Sequence, residues 1–141
     1  MNNKVLVGGL IGGVAAFLLG YLIYGMALGS TLEANMMAGI NRPMEEFQWA
    51  FVVLGHLFMG FLYAWVLNKA NANSLSSGLQ TGAVLGLLVA LTFAMTMYGV
   101  SNIYTTMTGV LVDIVGALIM GGLVGAVIGW WYGRGRTALV G

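Results

Sequence analysis

The chain has 141 residues, of which 60% are hydrophobic and 6% charged, with a formal net charge of +1 and no cysteine. A soluble domain carries about 25% charged residues, so this set covers no soluble surface, and the bilayer must be the solvent of a single domain. The charge gives no footprint for nucleic acid, and the missing cysteines exclude disulfides, thiolate metal sites and a cysteine nucleophile.

Four runs reach the roughly 20 apolar residues that a spanning helix needs, at about 5–28, 47–67, 78–100 and 107–132. None alternates as a barrel strand would, so helices that satisfy their own backbone are expected. The first run, with Lys4 before it and Gly25-Met26-Ala27 after it, has the outline of a signal peptide. Its length argues for a retained span. The expected fold is therefore all-α and polytopic, four transmembrane helices arranged as two hairpins within one domain, 1–141.

Between the first two spans lies the longest loop. "STLEANMMAGI" places Ser30 and Glu33 at capping-box spacing, and Leu32, Met36, Met37 and Ile40 on one helical face. This predicts an interfacial helix over 31–40, against the alternative of a plain connection. In "NRPMEE", Pro43 suits a first helical turn, and Glu45 and Glu46 suit the positive end of the second span's dipole.

Basic residues orient the chain. Lys4, Lys69, Arg134 and Arg136 share one side of a four-span protein, while Glu33, Glu45 and Glu46 with Arg42 share the other. The positive-inside rule then places both termini in the cytoplasm. Trp49 near one boundary and Trp65, Trp130, Trp131 and Tyr132 near the other fit aromatic belts.

An internal repeat is also legible. A shift of seventy superposes Gly8 on Gly78 and Gly12 on Gly82, and a shift of sixty-one superposes "GHLFMGFL" from Gly55 on "GALIMGGL" from Gly116.

Small residues recur at every fourth place: Gly8, Gly12, Ala16 and Gly20; Gly60 and Ala64; Gly78, Gly82, Gly86, Ala90 and Ala94; Ala117, Gly121, Gly125, Gly129 and Gly133. In lipid, close backbone approach and interhelical hydrogen bonds drive association, so these lines predict tight packing within the chain or between copies. Extended outward, they reach Tyr24, His56, Tyr98 and Asp113. With a rise of about 1.5 Å per residue, Asp113 lies roughly 9 Å and His56 roughly 14 Å inside the boundary. With Thr96 beside them, these groups suggest a polar cluster in the outer half of the membrane. The inner half offers glycine, alanine and aliphatic residues, which argues against a continuous path for ions.

Three uses of the cluster follow. His56 and Asp113 can clamp helices by hydrogen bonding. Tyr24, His56, Thr96, Tyr98 and Asp113 can line an outward-facing pocket for a small ligand, with His56 an axial ligand for haem or a pigment. A small-solute or ion transporter is the third reading. The 10 methionines could be soft ligands for Cu(I), but they are scattered and also serve as apolar filler. No nucleophile motif, phosphate loop or acid pair is present, so no enzyme is expected.

"MTMYGVSNIY" (Met95 to Tyr104) followed by "LVDIVGALIMGGLVGAVIGW" (Leu111 to Trp130) resembles a group of small bacterial four-helix membrane proteins of unknown function. The resemblance implies a bacterial cell membrane and carries over no activity and no site. The expectation is a non-enzymatic packing or accessory component, homo-oligomeric or attached to other membrane subunits.

Overall fold

In the computed structural model, which describes residues 3–134, the chain is helical at each of the four apolar runs. Helix α1 (Asn3–Gly20) continues as a π-helix (Tyr21–Ala27) and then turns into the short α2 (Gly29–Ala34). The other spans are α3 (Trp49–Lys69), α4 (Leu75–Val100) and α5 (Met107–Gly133). Arg136 lies outside the described residues.

Helix starts follow local chemistry. Ser74 caps α4 in a capping box with Ser77, and the Thr106 side chain accepts from Gly109 N at 3.1 Å to cap α5. The tight turn between α3 and α4 is closed by Asn71 at φ 53°, a left-handed position that asparagine tolerates.

The outer loop departs from expectation. Its helix covers Gly29–Ala34 rather than 31–40, and Leu28, not Ser30, stands at its N-cap with no side-chain bond. The helix stops because Asn35 is drawn elsewhere. Its carbonyl accepts from Thr105 N at 3.0 Å and its side chain meets Thr106 Oγ1 at 2.6 Å. Met36 then bridges Tyr104 in an antiparallel pair, and Met37 N donates to Ile103 O at 2.9 Å. The two outer loops are thereby stapled, and Met36 and Met37 no longer share a helical face with Leu32. Pro43 opens a separate 3-10 turn, Met44–Glu46, and α3 starts only at Trp49, so the two glutamates do not occupy its first turn.

The packing is uneven. Helix α5 is central, with half of its most apolar window buried, against 17% for α4. Helices α4 and α5 meet along their glycine lines. A methyl group added at Gly125 would sit 2.8 Å from Gly82 Cα, and one at Gly129 would sit 2.8 Å from Gly78 Cα. The contact is reciprocal, and side chains on either helix would force the backbones apart.

Helix α1 carries two glycine lines, of which the four-residue pattern reveals one. Gly8 and Gly12 face Tyr132 and Ile128 of α5, whereas Gly9 and Gly13 face Phe61, Gly60 and Leu57 of α3. The doublets at 8–9 and 12–13 are the sequence signal for a helix wedged between two neighbours. The proposed repeat does not extend to packing roles. Gly78 and Gly82 face their own hairpin partner, while Gly8 and Gly12 face α5. Gly116 is filled by Tyr24 and Leu28, while Gly55 faces open space.

Candidate functional site

The polar groups of the outer half are organised around Asp113. Tyr104, in the loop before α5, donates from its hydroxyl to Asp113 Oδ2 at 2.6 Å. Tyr24, on the π-helix, donates to the backbone carbonyl of the same residue at 3.1 Å. One position of α5 thus holds both the outer loop and the π-helix that continues α1.

Each partner is placed by its surroundings. Tyr104 is 4% exposed and packs among Ala90, Ala94, Val110 and Ile114. Burial, the bond to Asp113 and the negative charge of that acid all raise its pKa from 10.0, so the hydroxyl stays a donor. Tyr24 and Leu28 fit against α5 because position 116 is glycine: an added methyl would lie 3.1 Å from the Tyr24 hydroxyl and 2.8 Å from Leu28 Cδ1. The π-helix carries Tyr24 into that slot and ends with Leu28 N bonded to Ile23 O at 2.7 Å, five residues back. The glycines at 20, 25 and 29 mark this segment in the sequence, and the four-residue line reaches Tyr24 through Gly20 without revealing the π turn.

His56 takes a different place. Its Nδ1 lies 2.7 Å from Val52 O in its own helix, which makes Nδ1 the protonated nitrogen, and its ring stands edge-on to Phe17 at 5.6 Å. The opposite nitrogen points at α1, where a methyl group on Gly20 would sit 2.9 Å from Nε2. Gly20 therefore makes room for the imidazole itself. The acid and the histidine keep separate hydrogen-bond partners.

Tyr98 and Thr96 do not join the cluster. Tyr98 is 40% exposed, and Thr96 is exposed in an outward groove with Thr92 and Phe93. Thr96 stands two residues past the buried Ala94, nearly on the opposite side of the helix. For Tyr98 the reason is that a four-residue step overshoots one turn by about 40°. Ala90 and Ala94 stay buried, but one step further the line has rotated away from α5. Asn102 is exposed, and the residue that reaches Asp113 is Tyr104. No period in the sequence marks Tyr104, because it acts from a loop.

At the opposite end, the Tyr132 hydroxyl donates to Ala64 O at 2.9 Å, and Lys4 Nζ lies 4.6 Å from the Tyr132 ring while donating to Asn73 Oδ1 at 3.1 Å. The Tyr63 ring reaches the α4–α5 crossing, where methyl groups on Gly121 and Gly86 would lie 2.6 and 2.9 Å from its hydroxyl. This half is filled by Val5, Leu67, Val124, Ile128 and Tyr132, all nearly inaccessible.

Residues 7–129 match a family described as "Protein of unknown function (DUF1761)". The chain belongs to the DUF1761 family. The match runs through all four spans, well beyond the last two on which the resemblance in the sequence rests. No curated protein and no solved structure matches the chain. In this DUF1761 protein no group of three or more histidines, aspartates or glutamates is placed to hold a metal ion among the described residues.

Proposed function

We propose that this DUF1761 protein is a non-enzymatic accessory or packing component of a bacterial inner membrane, acting as a homo-oligomer or attached to other membrane subunits. The observation that carries the reading is the use made of Asp113. An acid within a membrane helix is a functional candidate by default. Here its side chain receives a hydroxyl from the outer loop and its carbonyl one from the π-helix, the arrangement of a clamp. The glycine seam of α4 and α5 serves the same end, a rigid core. That core leaves Phe51, Phe58, Val84, Leu88 and Phe93 on outward faces of α3 and α4, available to lipid or to a neighbouring helix.

The basic residues Lys4, Lys69 and Arg134 lie at the end of the bundle that holds the first and last described residues. By the positive-inside rule that end is cytoplasmic.

The test is extraction from native membranes directly into polymer nanodiscs at native expression, followed by mass measurement and an absorbance spectrum. Particles holding several copies, or other membrane proteins in fixed ratio, support the reading. A single copy without companions opposes it. A Soret or pigment band would instead favour the ligand-binding alternative through His56.

A further inference from the structure

We propose that the groove between the long outer loop and the start of α3 binds a phospholipid, with the phosphate at Arg42 and the upper acyl chain on Phe47 and Phe51. The groove has a volume of about 380 Å³, and Asn41, Arg42, Phe47, Gln48, Phe51 and Val52 are among the residues that line it. Its chemistry is divided. A guanidinium and two carboxamides among the lining residues supply hydrogen-bond donors, and two phenylalanines and a valine supply apolar surface.

Arg42 is the lone basic residue of the loops at this end, and it is exposed. Among the described residues no carboxylate is paired with it. Glu45 and Glu46, although close in sequence, are not among the groove's lining residues. A guanidinium presents paired N–H donors that match two oxygens of a phosphate.

The apolar surface continues down the outward face of α3. Phe51 is 71% exposed and Phe58 is 70% exposed. Trp49, 47% exposed and 5.5 Å from the Phe47 ring, stands where the span begins, the depth at which indoles meet headgroups. A soluble anion would engage Arg42 and leave the phenylalanines unused. A neutral hydrocarbon would do the reverse. A phospholipid at this depth meets both halves at once.

The experiment uses the purified full chain, delipidated in maltoside detergent. Dioleoylphosphatidylglycerol, dioleoylglycerol and inorganic phosphate are titrated separately, with melting temperature and lipid adducts in native mass spectrometry as readouts. Phosphatidylglycerol should bind saturably and raise the melting temperature. Arg42→Gln should weaken that binding about tenfold, the effect of losing one charge-assisted contact, and leave the lipid-free melting temperature unchanged. Phe51→Ser, a second variant at the apolar end, should also weaken it. Equal binding by wild type and both variants would overturn the proposal. So would dioleoylglycerol matching the phospholipid, which means apolar coating alone. Inorganic phosphate reproducing the full stabilisation would reassign the site to a free anion.

Discussion

Tyr104 and Asp113 lie nine residues apart and join the outer loop to α5 through a bond of 2.6 Å from hydroxyl to carboxyl oxygen. The same loop residue bridges Met36, so this bond also anchors the staple between the two outer loops. Asp113→Asn should be tolerated, because an amide keeps an oxygen to accept from Tyr104. Asp113→Leu and Tyr104→Phe should each cost about 1–3 kcal/mol, the scale for a buried hydrogen bond to a carboxyl group. Detergent-unfolding curves monitored by circular dichroism would measure this. Asn and Leu variants of equal stability would remove the clamp from the account.

The same contact sets a pH dependence. The pKa of Tyr104 is raised in the folded chain above its ordinary 10.0, so the folded state favours the protonated phenol. Its contribution is complete below about pH 10 and declines as the pH rises further, towards the folded value. Unfolding midpoints should therefore fall in alkaline solution, and the fall should be shallower for Tyr104→Phe. A variant curve parallel to wild type through that window would contradict the assignment.

Glycines should divide by what faces them. Gly86→Leu and Gly125→Leu place side chains into α5 and α4 respectively, where even a methyl lies 3.1 Å from Gly121 Cα and 2.8 Å from Gly82 Cα. Both should unfold the protein or broaden its elution. Gly55→Ala and Gly99→Ala meet nothing within 4 Å. These two should be neutral or stabilising by up to about 1 kcal/mol, since alanine is the better helix former. Size-exclusion profiles and melting temperatures of the four variants would show the split, and a uniform response would mean that the seam is not close-packed.

Orientation can be read with single cysteines, since the chain has none of its own. A cysteine at Glu45 should react with a membrane-impermeant maleimide in intact cells, and one at Lys69 should react only after lysis. The reverse pattern would invert the charge-based topology.

At Gly20, an added methyl would crowd the imidazole of His56 at 2.9 Å. Gly20→Ala should lower the melting temperature, and combining it with His56→Ala should recover part of the loss. Additive losses would show that the two positions do not share this niche.

Some of this protein was legible without coordinates because one physical requirement dominates each part. Hydrocarbon demands long apolar runs whose backbones satisfy themselves, so the four spans stand within a few residues of where composition places them. Close helix approach demands small residues, so the seam of Gly78, Gly82 and Gly86 with Gly121, Gly125 and Gly129 is written as a period in the sequence. The candidate site was only half legible. Asp113 announces itself as an acid among aliphatics, but its partner does not, because Tyr104 reaches it from a loop whose path depends on Asn35 and Met36, some seventy residues earlier in the chain. A fixed four-residue step likewise drifts around the helix, which turned Tyr98 outward. The π-helix that seats Tyr24 depends on the slot left by Gly116 in another helix. Periodicity reports what one helix presents to its surroundings; which loop and which neighbour fill that space is decided only when all the helices pack together.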